Sequence, residues 1–171
     1  MPARSTLPFD PIAEATRNWD GAGWTDFSGG MALVTSIMRA QQLLLSRVDE
    51  VLAPFELTFA RFEVLMLLSF SRRGQLPLGK IGQRLQVHPA SVTNAIDRLE
   101  SGGLVTRVPH PHDGRTTLAA ITAAGRSVSS AAVERLNNEV FGAIGLTSGE
   151  AGSVVDAITK LRAAAGDFTT T

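Results

Sequence analysis

The chain has 171 residues, 44% of them hydrophobic and 19% charged, with equal numbers of acidic and basic side chains and no cysteine. This length suits one compact domain, or a small domain with added dimerisation helices, but not two large domains. The lack of cysteine excludes disulfides, thiolate metal sites, cysteine nucleophiles and thiol redox sensors. The apolar stretches are too short for a membrane span, and no apolar segment follows Arg4 as in a secretory signal, so a cytoplasmic protein without a membrane partner is expected.

Charge is distributed unevenly along this neutral chain. The segment from Arg61 to Arg126 contains nine Arg and Lys residues against four Asp and Glu residues, a net charge of +5, and the rest of the chain carries −5. All three histidines also lie in the basic segment. This asymmetry is expected if only the middle of the chain faces phosphate groups, although solvated surfaces can also produce it by chance.

The first part of the chain predicts an extension followed by two helices. Residues 1–28 are rich in Pro, Gly and Asp, with a short helix expected at about 12–19. Apolar residues recur at helical spacing over 31–52, and a proline two residues later ends that helix. Thr58 is a suitable N-cap for a second helix through about Phe70, which is apolar nearly all round and therefore expected to be buried.

The middle of the chain predicts a helix-turn-helix. Residues 72–75 are expected to form a loop and residues 78–85 a short helix. Pro89 suits the first position of the next helix, and Gly102 or Gly103 suits its C-terminal cap. Opposite an apolar face, this helix carries small and polar residues with one long cation: Ser91, Asn94, Ala95 and Arg98. A helix that enters the major groove needs such a face, because bulky side chains near its start would keep its backbone away from the bases.

Two segments rich in β-branched residues follow, at 104–108 and 116–121. The linker between them contains Asp113-Gly114, and Asp-Gly is the strongest short signal for a hairpin. Helix, turn, helix and β-hairpin is the order of a winged helix-turn-helix. A threonine can cap the long helix predicted at 122–144, and a capping box opens a last helix at 147–165.

This order of elements carries a pattern that resembles the multiple-antibiotic-resistance regulator (MarR) family. The matching pieces are Val-His-Pro-Ala-Ser-Val-Thr at 87–93, Asp-Arg-Leu-Glu at 97–100, Gly-Leu-Val at 103–105, Asp-Gly-Arg at 113–115 and Thr-Ala-Ala-Gly at 122–125. Each piece is short, but all occur in order between terminal helices, and the resemblance covers roughly residues 31–165. It implies a mainly α fold with a small β-wing, that is, a winged helix-turn-helix flanked by N- and C-terminal dimerisation helices.

The resemblance also implies how the chain is divided and what it does. It implies a recognition helix at about 89–101 and a wing at about 109–116, within a DNA-binding lobe at 57–121. Residues 29–56 and 122–166 would form the helical dimerisation region, and residues 1–28 the extension. Members often respond to small anionic or aromatic compounds, so a dimeric, ligand-responsive transcription regulator is expected.

Apolar stripes support the expected homodimer. A single small lobe cannot bury all the apolar residues of the first, penultimate and last helices, so they are expected to pack between protomers: Val34, Ile37, Met38, Leu45; Leu136, Val140, Phe141, Ile144; Val154, Val155, Ile158, Leu161. Two recognition helices held by such a dimer would meet major grooves about one helical turn, roughly 34 Å, apart. The double-stranded DNA site should therefore be near-palindromic.

Specific residues are expected to contact DNA. Arg115 at the wing tip is a candidate for the minor groove, because a narrow groove attracts a guanidinium and Asp113 could orient it. Asn94 and Thr93 could reach base edges, since Asn pairs with adenine and the Thr methyl contacts thymine. Phosphate contacts are expected from Ser91, Arg98 and Arg107. Pro89, Ala90, His110 and His112 complete the predicted surface, although any of these residues could be ordinary exposed surface.

The sequence is less consistent with metal binding or catalysis than with DNA binding. His110 and His112 invite a zinc site, but a third ligand in a fixed element is not evident and proline flanks both. The G-x-S-x-G motif of hydrolases does not occur, and Gly21-Ala22-Gly23 lacks the preceding strand of a phosphate-binding loop. No enzyme activity, metal or cofactor is therefore expected. The alternative function is a winged-helix module that binds protein instead of DNA.

The extension suggests an effector. Trp19 and Trp24 are the only tryptophans, and both lie near Arg17. They could simply pack on the dimer, or they could stack on an aromatic or purine-type acid whose carboxylate pairs with Arg17. Met38 and Met66, on helices expected to flank the pocket, could adapt to the shape of that ligand.

Overall fold

The computed structural model describes residues 7–169, which form two compact units with the boundary between Phe59 and Ala60. The mainly α fold with a small β-wing is confirmed. The helices are α1 Pro11–Gly21, α2 Thr25–Leu52, α3 Phe59–Phe70, α4 Leu78–Leu85, α5 Pro89–Ser101, α6 Ala123–Glu139 and α7 Ser148–Ala164, with 3₁₀ turns at Ala53–Phe55 and Phe141–Ala143. The strands are β1 Gln75–Pro77, β2 Val105–His110 and β3 Asp113–Ile121. Within the described residues, none of these helices is long and apolar enough to cross a membrane.

The first unit is built on α1 and α2. The Asp10 carboxylate caps α1 by accepting a hydrogen bond from the backbone N–H of Ile12 at 2.9 Å. The prediction that the next helix begins at residue 31 was wrong, because α2 begins at Thr25 and runs through the Gly29-Gly30 pair. Each glycine costs about 1 kcal/mol of helix propensity, and packing of α1 against α2 offsets that cost.

The second unit has a core assembled from α3, α4, α5, α6 and the sheet. Its largest fully buried side chains come from each of these elements: Val64, Leu65, Leu68, Ile81, Ile96, Leu99, Val105, Leu136 and Val140. The prediction that α3 is buried is confirmed on one face, whereas Phe70 at its end is 80% exposed. Leu136 and Val140 are buried within their own chain, so placing them between protomers was wrong.

The sheet has the order β1-β3-β2, with both pairs antiparallel. Strand β1 was missed because three residues show no alternation; Gln75 was predicted as loop but pairs with Ala120 of β3. The predicted hairpin is confirmed, but its turn lies at Pro111-His112 because His110 pairs with Asp113. Asp113 and Gly114 therefore begin β3 and do not form the turn.

Local capping signals set the starts of the last two helices. Thr122 accepts a hydrogen bond from the backbone N–H of Gly125 at 3.0 Å and so caps α6. The capping box before α7 is also present: the Thr147 N–H donates to the Glu150 carboxylate at 2.8 Å, and the Glu150 N–H donates back to the Thr147 hydroxyl. Hydrogen bonds from the hydroxyl and the N–H of Thr147 hold the pKa of Glu150 below its ordinary value.

Candidate nucleic-acid interface

The sequence at both ends of α5 fixes its position and rotation. The His88 Nδ1 accepts from the Ala90 N–H at 3.2 Å, and Pro89 begins the helix as predicted. The helix ends at Ser101, and Gly103 then adopts the left-handed conformation with φ +71°. One face of α5 is fully buried through Val92, Ile96 and Leu99. The opposite face must therefore point to solvent.

The exposed face of α5 forms a shallow depression of about 650 Å³, and Ser91 is exposed beside it. Its lining residues are small, polar or charged: Ala90, Thr93, Asn94, Asp97, Arg98 and Ser101. The Thr93 hydroxyl already donates to the Pro89 carbonyl at 3.1 Å, so its methyl group and oxygen lone pairs are what it can offer a ligand. Within the described part of the chain, the Asn94 amide and the Arg98 guanidinium have no hydrogen-bond or ion-pair partner. These two side chains are available for contacts outside the chain.

Arg107 of β2 is engaged by two carboxylates of α5. One terminal nitrogen of its guanidinium lies 2.6 Å from the Asp97 carboxylate, and the other pairs with Glu100. The Arg107 backbone N–H also donates to Glu100 at 2.9 Å. Asp97, and secondly Glu100, raises the pKa of the guanidinium above its ordinary value. Arg107 therefore ties the strand to the helix, an interaction that its predicted role as a phosphate contact did not include.

The sequence alone predicts no separate role for Asp97 or Glu100. They lie three residues apart on α5, and residues at this spacing share one side of a helix. This spacing, together with an arginine on the next strand, is the sequence signal that indicates a pairing of both carboxylates with Arg107.

Asp113 shapes the tip of the wing, next to the Pro111-His112 turn. Its carboxylate accepts from the Thr116 hydroxyl at 2.6 Å and from the Arg115 backbone N–H at 3.0 Å. These hydrogen bonds, the Thr116 bond first, lower the pKa of Asp113. Asp113 thus fixes the backbone at Arg115, whereas the prediction had it orient the guanidinium. His110 and His112 lie edge to face, with ring centroids 6.3 Å apart.

A second depression, of about 610 Å³, joins the wing to the start of α4. Three basic side chains from three elements line it, namely Lys80, His110 and Arg115, with Gln83 and Thr117 among their neighbours. Lys80 was not predicted as a site residue, although a lysine in the first turn of a helix-turn-helix was visible in the sequence. No group of three metal-ligating side chains occurs among residues 7–169.

The predicted effector residues are only partly brought together. Trp19 and Trp24 pack edge to face with ring centroids 5.2 Å apart. Trp19 also lines a depression of about 460 Å³ with Asp26, Phe27, Gly30, Met31, Val34 and Thr35. Arg17 is exposed and is not one of these lining residues. Met38 is exposed on α2, and Met66 is half-buried on α3 in the second unit.

Comparison with known proteins identifies the family. The MarR family model matches residues 57–117. A MarR family transcriptional regulator from Streptomyces coelicolor, Sco5413, is 51% identical with a TM-score of 0.75, and the match covers 83% of this chain and 99% of that protein. A mutant of MarR from E. coli, solved in complex with operator DNA, shares the fold with a TM-score of 0.71 at 24% identity, over 79% of this chain and 96% of that one.

A curated relative gives the same result over a shorter region. The HTH-type transcriptional regulator YhbI of Bacillus subtilis is 33% identical over 88 residues, or 51% of this chain. The match spans about half of that relative, 56% of its length. Sco5413 and YhbI are both named as transcriptional regulators. The chain belongs to the MarR family of winged-helix transcriptional regulators.

Proposed function

We propose that the chain binds duplex DNA, with the exposed face of α5 in the major groove and the β2–β3 wing reaching the adjacent minor groove. The observation that carries this proposal is the solvent-facing side of α5, where Asn94 and Arg98 are unengaged among small residues. A groove 12 Å wide admits a helix with such a face, and an unpaired amide can bond adenine bidentately. The E. coli MarR of the same fold, bound to operator DNA, supports it.

The alternative is a winged-helix module that binds a protein. The cores of protein interfaces are depleted of charge and enriched in aromatic residues. The depression on α5 and the one between the wing and α4 are instead lined mainly by polar and charged side chains, among them Lys80, Arg98 and Arg115. This composition favours phosphate as the partner.

Asn94→Ala and Arg115→Ala should weaken DNA binding in different ways. With a duplex selected by the wild-type protein from a random library, Asn94→Ala should cost about 1–3 kcal/mol and relax preference at one base position per half-site. Arg115→Ala should weaken binding to every duplex and reduce the salt slope by about one. Fluorescence anisotropy at several salt concentrations measures both effects.

Asn137→Ala, on the exposed surface of α6, is the control and should change neither the DNA affinity nor its salt dependence. If Asn94→Ala weakened binding to random and selected DNA equally, Asn94 would contact the backbone and not a base.

We also propose that the protein acts as a homodimer on a near-palindromic site, with residues 29–56 and 122–166 as the dimerisation region. Apolar side chains of α7 are exposed in the single chain, with Val155 61% and Leu161 48% exposed. Exposed apolar side chains spaced along one helix mark an interaction surface. Val34 and Met38 of α2 are similarly exposed.

The double variant Val155→Glu/Leu161→Glu should convert the dimer to monomer, because each substitution places a charge in an apolar interface. Sedimentation velocity measures the change. Lys160→Glu alters charge on the same helix and should leave the dimer intact. If the double variant sedimented like the wild type, α7 would not be part of the dimer interface.

We further propose that a small aromatic compound, such as an aromatic or purine-type acid, acts as effector in the depression beside Trp19. Its walls include Phe27, Met31 and Val34, which suit a flat apolar ring. Titration of salicylate or urate should therefore give a saturable change in tryptophan fluorescence. Arg17→Ala should leave that change intact, since Arg17 does not line the depression. Loss of the fluorescence response in Arg17→Ala would show that Arg17 does pair with the carboxylate of the ligand. Absence of a response in the wild type would refute this effector class.

A further inference from the structure

The turn between α4 and α5 contains an unusual backbone conformation. Gln86 follows α4 with φ 54° and ψ 40°, in the left-handed region that side chains with a Cβ rarely occupy. The turn around it is tight: the N–H groups of Gln86 and Val87 both bond the Gly82 carbonyl, and a Cβ at Gly82 would lie 3.2 Å from the Val87 oxygen. The Gln86 side chain reaches across the fold, and its Nε2 donates to the Asp167 carbonyl at 3.0 Å.

The acceptor of this bond lies in a well-defined turn, residues 165–168, which we name the C-terminal hook. Gly166, with φ +75°, reverses the chain after α7, and the Asp167 N–H bonds the Arg162 carbonyl at 3.1 Å. Arg162 also donates twice to the Asp167 carboxylate, at 2.6 Å each time. Its guanidinium carbon lies 5.3 Å from the centre of the Phe168 ring, a cation–π contact. Three interactions therefore hold the hook in the shape that presents its carbonyl to Gln86.

We propose that Gln86 is a positioning residue for the recognition helix, because its bond to the hook ties the turn before α5 to the end of α7. Gln86 lies two residues before the N-cap His88, so a shift of the hook reaches the first turn of α5 directly. This inference rests on the proposed function of α5 in DNA binding and on α7 as a dimerisation helix. On that basis, the end of α7 sets the orientation in which α5 meets the major groove.

Two variants remove this link from opposite sides. Gln86→Ala deletes the donor. Gly166→Val keeps the chain length but cannot adopt φ +75° with its β-branched side chain, so it displaces the hook although the space around Gly166 is open. Asn137→Ala is the control, because Asn137 is an exposed amide of the same unit whose side chain has no hydrogen-bond partner among residues 7–169.

Amide hydrogen exchange of the full chain, without DNA, is the primary measurement. We expect exchange at residues 87–92 to accelerate about 3- to 10-fold in each variant, as loss of one hydrogen bond implies. The double variant should exchange no faster than either single variant, and the control should match the wild type. Unchanged exchange in both variants, additive effects in the double variant, or equal acceleration throughout α3 and α6 would overturn the proposal.

DNA binding supplies the second measurement, with the duplex selected by the wild type as probe. Gln86→Ala should lower affinity for that duplex about 3- to 10-fold, and for random duplex less than about 2-fold. Equal losses on both duplexes would overturn the positioning role. If the wild type selects no duplex, the proposed function fails, and the exchange result still decides whether Gln86 holds the turn.

Discussion

Gly125→Ala is expected to destabilise the second unit by about 3 kcal/mol or more, which lowers its melting temperature by about 10 °C. A Cβ at Gly125 would lie 2.1 Å from the Leu104 carbonyl oxygen and 2.8 Å from a side-chain carbon of Ile121. The obstructing oxygen belongs to the backbone and accepts the Thr122 N–H at 3.0 Å. Relief of the clash therefore has to shift the start of α6 away from the backbone at Leu104, and side-chain rotation alone does not suffice.

Thermal unfolding followed by circular dichroism measures this effect. Gly79→Ala is the matched control, since a Cβ there meets nothing within 4 Å. Alanine in place of a helical glycine should raise stability there by about 0.5–1 kcal/mol. Equal melting temperatures for Gly125→Ala and the wild type would show that α6 does not pack as closely on Leu104 as described.

Arg107→Ala is expected to lower affinity for any duplex DNA about tenfold and to destabilise the fold by about 1–2 kcal/mol. The Arg107 side chain is 29% exposed and pairs with two carboxylates of α5, so its loss leaves both uncompensated. One of them, Asp97, lines the same depression as Asn94 and Arg98. Without Arg107, that carboxylate would repel the phosphates that α5 approaches.

Variants can separate this repulsion from simple unfolding. Arg107→Ala/Asp97→Asn should recover much of the DNA affinity while the stability loss persists, because it removes the uncompensated carboxylate that lines the depression and leaves only that of Glu100. Arg135→Ala breaks an exposed ion pair with Glu139 on α6 and should leave both the stability and the DNA affinity close to those of the wild type. If Arg107→Ala changed stability and DNA affinity no more than Arg135→Ala does, the link between β2 and α5 would contribute little to either property.

Local signals in the sequence were sufficient to predict where several helices of the site begin and end. Pro89 and Gly102 bound α5, and Thr122 and Thr147 mark the starts of α6 and α7, as predicted. Capping and turn residues act through hydrogen bonds to backbone groups two to four residues away, so their effect is readable without the fold. The buried and exposed faces of α5 follow from helical periodicity for the same reason.

Other features depended on partners that are distant in the chain. Strand β1 exists only through its pairing with Ala119 and its neighbours in β3, and the hairpin turn moved to Pro111-His112 because cross-strand register outweighed the Asp-Gly signal. Helix α2 continues through two glycines because α1 packs beside it. In each case non-local pairing or packing exceeded a local preference of about 1 kcal/mol.

The sequence by itself determined the order of the helices and of strands β2 and β3, the family pattern and the polar face of α5, because these depend on neighbours within one or two helical turns. Only the tertiary structure decided which charged and polar groups are already engaged. It paired Arg107 with Asp97 and Glu100, and it placed Gln86 against Asp167, 81 residues away. Partner choice for a long side chain is set by which polar groups, of side chains or of the backbone, the fold brings within about 3 Å of its tip, and no local pattern encodes that distance.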